Sequence, residues 1–314
     1  MSAPELRHFR SFVGVADAGT VSRAAQRLHM SQPALSRQIA ALERELGVRL
    51  FDRVGRRLTL TRHGEELLAR GRRLLSEMDA IQERAQSLAG GAAGVLRIGA
   101  TAQVIETTLS QVLPRYRRLY PNVDVQVAED GAKGLIARVR DGEAHIVIVA
   151  LRGAEGFPSR ALFPACLVAV MAHGHRLARA RSLSVADLAN EPILTLPSGL
   201  EIRDILDEAA AAAGIHLRIA FESRTPHSLL ALASAGQGVG LLWSSMLGME
   251  APALHVTGLV RDGRPLGSWS GAVWDPRRHM PPHAEIFLDI LARHAATRYP
   301  GHRLKATREV PRPR

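Results

Sequence analysis

The sequence predicts an α+β protein of several domains: a small basic helical head with a hairpin, a long connecting helix, and a larger α/β module. Three observations carry this. The apolar residues repeat at helical spacing up to about Gly90 and switch to alternating strand and helix patterns past Gly94. A heptad stripe fills the stretch between Thr61 and Gly90. The formal net charge of +11 is uneven: residues 1–64 carry 11 Arg against 5 Asp and Glu, net +6, residues 301–314 are net +4, and the rest is only +1. Polyanion binding therefore belongs with the head, and another task with the nearly neutral remainder.

The 314 residues, 46% hydrophobic, suffice for two or three cores. No run reaches the roughly 18 uninterrupted apolar residues of a membrane span, and MSAPELRHFR lacks the apolar centre of a signal peptide. A cytoplasmic protein with no membrane partner is expected. The single cysteine, Cys166, excludes an internal disulfide and an all-cysteine metal site, and reads as a small buried hydrophobe.

In the head, Leu6, Phe9, Phe12, Val13 and Ala16 recur at helical spacing and Gly19 ends the helix. Thr20 caps a second helix whose inner face is Val21, Ala24, Ala25 and Leu28. Ser31 caps a third, with Pro33 tolerated in its first turn, ending at Gly47. Leu35, Ile39, Leu42 and Leu46 form the inner stripe of that third helix, leaving Pro33, Arg37 and Arg44 outside with Gln32 and Ser36 flanking. Two helices joined by a short break, the second presenting Gln, Ser and Arg early, match the helix-turn-helix, whose second helix enters the DNA major groove. Gln pairs with adenine edges and Arg with guanine edges. The stretch VRLFDRVGRRLTLT then reads as a hairpin, or wing, with Arg53, Arg56 and Arg57 near its tip, suited to a phosphate backbone. The alternative is an ordinary packed helical unit with solvated basic turns.

The stretch ELRHFRSFVGVADAGTVSRAAQRLHMSQPALSRQIAALERELGVRLFDRVGRRLTLTRHGEELL resembles the amino-terminal winged helix-turn-helix of the LysR-type transcriptional regulators, and the rest of the chain fits that family in length and order. The resemblance implies a helix-turn-helix over residues 21–40, with Gln32, Pro33, Ser36 and Arg37 at the surface of double-stranded promoter DNA and Arg53, Arg56 and Arg57 on the wing. It also implies residues 1–62 as the DNA-binding domain and residues 63–90 as a dimerisation helix.

Along that helix Leu67, Leu74, Ile81 and Leu88 recur every seventh residue, with Gly71, Met78 and Ala85 interleaved. The stripe serves either a partner helix or the chain's own head. The resemblance favours a coiled-coil homodimer, or a homotetramer built from two such pairs, with RNA polymerase a further candidate partner.

Past Gly94, VLRIGA, VDVQVAE and HIVIVA read as strands around the helices LSQVLPRYRRLYP and GLIARVRDGE. A second set follows: LVAVMA, PILTL, LRIAFES and GVGLLW, with helices near SVADLA, IRDILDEAAAAAG and HSLLALASAG. SWSGAVW and AEIFLDILARHAA close the module. The resemblance implies a two-lobed effector domain over residues 94–298, like periplasmic binding proteins. Lobe I would be about 94–164 and 268–298, and lobe II about 165–267, crossing near Pro164 and returning near Ser268.

Ligands of such sheets bind beyond the carboxyl ends of the strands. Thr101, Gln103, Asp130, Gly131, Ser198, Gly199, Arg224 and Thr225 occupy those loops. Hydroxyls and amides at helix amino ends, with Arg224, suit an anionic small-molecule effector; alternatively Thr101 and Ser198 only cap their helices. Two positions depart from the family pattern: His145 stands where aspartate is common, and Trp243 where proline is common. Residues 299–314, rich in Pro and Arg, read as a flexible basic tail.

No cofactor or metal is expected. The motifs HGHR and HMPPH lack neighbouring acidic or cysteine ligands, and SAGQGVG follows a helix and enters a strand, the reverse of a dinucleotide site. No catalytic constellation is apparent, so an enzyme is not expected. The remaining readings are a ligand-responsive regulator, a ligand-independent architectural DNA binder, and a small-molecule binder with an added basic head.

Overall fold

Leu6–Ala18 (α1), Val21–Arg27 (α2) and Gln32–Leu46 (α3) form the head, each bounded by its own sequence signal. Gly19 and Gly47 end α1 and α3 at φ +69° and +71°, a conformation glycine adopts without a Cβ penalty. The Thr20 hydroxyl accepts from the Arg23 amide at 3.4 Å, and that of Ser31 from Ala34 at 3.3 Å. Inside, Phe12, Val15, Leu35, Ile39, Leu42 and Leu50 are buried, and Phe12 meets Phe51 edge to face at 5.5 Å. The molecule is described from a computed structural model covering residues 3–54, 57–88, 94–152, 154–247 and 254–312.

The strands Phe51–Val54 (β1) and Arg57–Leu60 (β2) form an antiparallel hairpin. Glu43 of α3 anchors it by accepting from the amides of Leu50 (2.7 Å) and Phe51 (3.2 Å). Thr61 donates to the Arg49 carbonyl and accepts from Gly64, capping the long helix Arg62–Leu88 (α4). Only glycine fits at Gly64, since a Cβ there would lie 2.1 Å from the Leu50 carbonyl oxygen.

The heptad stripe of α4 is divided between two surfaces. Leu67 packs into the head core, and buried Gly71 faces Phe9, Phe12 and Val13 of α1, not a partner helix as the seven-residue repeat suggests. A Cβ at Gly71 would meet Phe9, Val13 and Phe12 at 3.5–3.7 Å, ordinary contact, so this position holds a small residue against α1. Leu74 (44% exposed) and Ile81 (62%) are uncovered. On its other side α4 is tied to lobe I: Arg73 to Asp141 at 3.3 Å, Ser76 to the Gly142 carbonyl at 2.9 Å, and Arg278 to Ser76 at 2.7 Å.

The α/β module follows as Gly94–Ala100 (β3), Ala102–Val104 (α5), a π-helical turn Ile105–Leu109, Ser110–Leu119 (α6), Val123–Glu129 (β4), Ala132–Asp141 (α7), Ile146–Ala150 (β5) and Ser159–Ala172 (β6). Next come Leu183–Ser184 (β7), Pro192–Thr195 (β8), Glu201–Ala212 (α8), Arg218–Glu222 (β9), Pro226–Ser234 (α9), Val239–Trp243 (β10), Leu254–Arg261 (β11) and Arg264–Pro265 (β12). Gly267–Val273 (β13), Pro282–Thr297 (α10) and Lys305–Arg308 (α11) end it. The strand order is β4-β3-β5-β13-β6-β10-β8-β9, with β11 beside β6. In each half the strands joined through helices run parallel: β3 with β4 and β5, and β8 with β9 and β10.

The 14-residue β6 passes through both halves: Ser159–Cys166 pairs with β13, Leu167–Val170 with β10 and Val168–Ala172 with β11. β13 returns the chain, with Gly267 opposite Cys166. The first half has a core around Leu96, Ile98, Tyr116, Ile146 and Phe287 on one face of its sheet and a smaller one around Leu135, Val139, Val147 and Val149 on the other, and the second half has one around Val168, Val170, Leu194, Leu206 and Leu241.

Besides the short strands β7 and β12, which the sequence reading did not assign, two larger elements differ from it. β11 had no strand assigned to it; its signal is the Asp262-Gly263 turn into β12, at φ +52° and +73°. The carboxyl-terminal segment is packed rather than flexible: Thr307 is fully buried, Val310 nearly so, and the Arg312 guanidinium lies 5.6 Å over the Trp269 ring. Its Pro and Arg content conceals anchors that fit glycine gaps. A Cβ at Gly267 would lie 2.6 Å from Val310, and one at Gly258 2.7 Å from Ala306. Among the described residues no helix is long and apolar enough to cross a membrane.

Candidate DNA-binding face and interlobe cavity

The period of α3 turns Leu35, Ile39 and Leu42 inward and leaves Gln32, Pro33, Ser36 and Arg37 exposed on its first two turns. Gln38 is held inward by a hydrogen bond from Ser11. Arg37 makes no ion pair among the described residues, so its donors are uncommitted. Arg53 in β1 and Arg57 in β2 stand opposite Leu58 and Val54 beside the hairpin turn; Arg56 lies outside the described residues. The face offers uncommitted donors and acceptors on a rigid, capped helix, with a hairpin beside it.

The lobes enclose a cavity of about 840 Å³. Of the eight residues expected there, Thr101, Gln103, Asp130, Gly131 and Arg224 line it. Thr101 is the N-cap of α5 but makes no side-chain capping bond, which leaves its hydroxyl uncommitted. Ser198, Gly199 and Thr225 are not among the lining residues. Gly199, at φ +83°, turns the loop so that Leu200 becomes the N-cap of α8 and Leu200, Glu201 and Ile202 reach the cavity instead; Thr225 is the exposed N-cap of α9.

Contacts cross between the lobes on two sides. Gln103 hydrogen-bonds Ser245, and Arg152 pairs with Glu208 at 2.7 Å. Trp243 lines the cavity, so the position where proline is common supplies an aromatic wall. His145 keeps a polar contact at the start of β5, its Nδ1 accepting from the Arg97 amide at 3.2 Å.

Sequence reasoning missed Glu201, Ser245 and Ser268. Glu201 is the most perturbed carboxyl of the cavity: burial pushes it up from 4.5 to about 7, against a hydrogen bond with Ser268 and the charge of Arg152. Its Oε1 is buried without a hydrogen-bond partner. The signal was its place at the amino end of α8, where a carboxylate is ordinarily solvated and stabilised. Cys166 is fully buried next to Thr307, and burial raises its thiol pKa.

Residues 6–65 match the model of the bacterial regulatory helix-turn-helix protein, lysR family, and residues 89–296 that of the LysR substrate binding domain. Among similar proteins, the HTH-type transcriptional regulator YnfL of Escherichia coli (strain K12) is 32% identical over 90% of this chain and 96% of its own. XapR, another HTH-type transcriptional regulator of that strain, is 31% identical over 80% and 86%. A full-length OxyR variant from Pseudomonas aeruginosa superposes with a TM-score of 0.71 at 26% identity, covering 92% of this chain and 98% of that one. CbnR, a LysR family transcriptional regulator, does so at 0.65, over 93% and 99%, with an identity of 24% that speaks for the fold alone.

Proposed function

The chain belongs to the LysR family of DNA-binding transcriptional regulators, and from that premise we propose that Gln32, Pro33, Ser36 and Arg37 read promoter DNA while Arg53, Arg56 and Arg57 hold its phosphates, under control of a small-molecule effector in the interlobe cavity. The observation that carries the DNA half is the uncommitted polar face of a capped α3 over a buried apolar stripe. For the effector half, the free Thr101 hydroxyl at a helix amino end and Arg224, which makes no ion pair among the described residues, favour a ligand with an acidic group. Effector binding acts by preferring one arrangement of the lobes, and among the described residues β6 is the strand that pairs in both, with β13 returning the chain beside it. Homodimerisation through uncovered Leu74 and Ile81 would pair two heads.

A ligand-independent architectural role leaves the cavity and the unpartnered Oε1 of Glu201 without purpose. A peroxide-responsive role, as in the relatives named hydrogen peroxide-inducible genes activator, is not supported either. Thiol chemistry needs an accessible thiolate, and the single cysteine is buried with a raised pKa.

Gel-shift titration at several salt concentrations tests the DNA face, using fragments selected by the wild-type protein. Arg37→Ala is expected to cost about 1–3 kcal/mol on the preferred sequence and to relax preference at one position. Arg53→Ala is expected to weaken all sequences alike and to lower the salt slope by about 1. Unchanged affinity in both variants overturns the assigned face.

A further inference from the structure

We infer that Glu201 selects for an effector carrying an ammonium or similar N–H donor, so that the ligand is an amine-bearing acid rather than a simple anion; this rests on reading the interlobe cavity as the effector site. Four carboxylates line the cavity, Glu106, Glu129, Asp130 and Glu201, against one guanidinium, Arg224, and His227. Three of the carboxylates have other outlets. Glu106 and Glu129 are solvent-exposed, and Asp130 accepts from the Gly131 amide at 2.8 Å and lies 3.7 Å from Arg138.

Glu201 is less well served. Its Oε1 is sealed from solvent and unpartnered, while Ser268 supplies its hydrogen bond. The cation whose charge acts on it, Arg152, is held by Glu208 on the interlobe surface, and Asp204, one turn along α8, adds a repelling charge. Trp243, Leu196 and Ala165 share the lining and keep the local dielectric low, which strengthens any charge-assisted bond formed there. A simple anion would meet a buried acceptor. A ligand N–H would satisfy it, with Arg224 left for the acidic end.

The raised pKa adds a proton signature. With Glu201 near its midpoint at neutral pH, an arriving ammonium favours the carboxylate, and the displaced proton passes to buffer. A simple anion would instead accept a hydrogen bond from the protonated carboxyl and take up a proton. The two ligand classes thus differ in the sign of a measurable quantity.

The test is isothermal titration of the full chain at pH 7, in two buffers of different ionisation enthalpy. The probes are matched pairs: 4-aminobutyrate against butyrate, glutamate against glutarate, leucine against 4-methylpentanoate. In at least one pair the amine-bearing member is expected to bind about 10-fold tighter or more, with proton release. Glu201→Gln should abolish that preference while keeping the affinity for the acid, and Glu201→Asp should restore part of it; circular dichroism checks that both variants fold. Tighter binding of the deaminated members, or proton uptake, overturns the selection by Glu201 and leaves the cavity as an anion site. Silence from every probe would remove the small-acid reading of the cavity and this inference with it.

Discussion

The outer face of α3 and the interlobe cavity differ in how their residues are brought together. Gln32, Pro33, Ser36 and Arg37 lie within six consecutive residues and share a surface because one helix has 3.6 residues per turn. Thr101, Asp130, Glu201, Arg224, Trp243 and Ser268 come from six segments and meet only once two sheets are joined through β6 and β13. A local site needs a folded helix, whereas a dispersed one needs the whole module. The first is also polar and open, and the second keeps a carboxyl away from water.

The sharpest way to break this comparison is to remove packing beneath the local site. Leu35→Ala, at a fully buried position, is expected to destabilise the head by about 2–5 kcal/mol and to abolish DNA binding. The thermal transition of the α/β module should stay where it is. A single transition that moves as a whole would mean that α4 couples the two units into one.

Glu201→Gln probes the dispersed site through pH. In the folded chain Glu201 titrates near 7, above its ordinary 4.5, so the charged form costs stability. That cost is fully present above about pH 7, shrinks as pH falls, and vanishes below about 4.5. The variant is therefore expected to be more stable than wild type by up to about 3 kcal/mol at pH 8, and equal to it at pH 4. Denaturant unfolding across that range reads the difference; a pH-independent difference would show that Glu201 is solvated.

The smallest expected effect is at the surface bridge between lobes. Arg152 and Glu208 are each about half exposed, so Arg152→Ala should change stability by less than about 1 kcal/mol in thermal unfolding. A larger loss would mean that the bridge, rather than the hinge strands, sets the lobe arrangement.

The head was almost wholly legible because its signals are local. Gly19, Thr20, Ser31 and Gly47 mark the helix ends, and each is where the chain turns. The cavity was legible only in part. Sequence order placed Ser198 and Gly199 in the right loop, but the positive φ of Gly199 decides that Glu201, not Ser198, reaches the cavity. The heptad repeat on α4 was visible, yet it did not tell that Gly71 faces α1 while Ile81 stays uncovered. The tail was misread because its composition resembles a solvated segment, and its anchors have meaning only beside Gly258 and Gly267.

By itself the sequence determined the helix-turn-helix, the wing, the change of period past Gly94 and the basic character of the two ends. These depend on hydrophobic period, capping residues and charge, which act over one or two turns of chain. Tertiary structure decided which loop residues converge on the cavity, which part of α4 is uncovered and where the tail docks. Those outcomes depend on distances between segments far apart in sequence, and on the burial that turned Glu201 from an ordinary helix-start carboxylate into a group that titrates near neutrality.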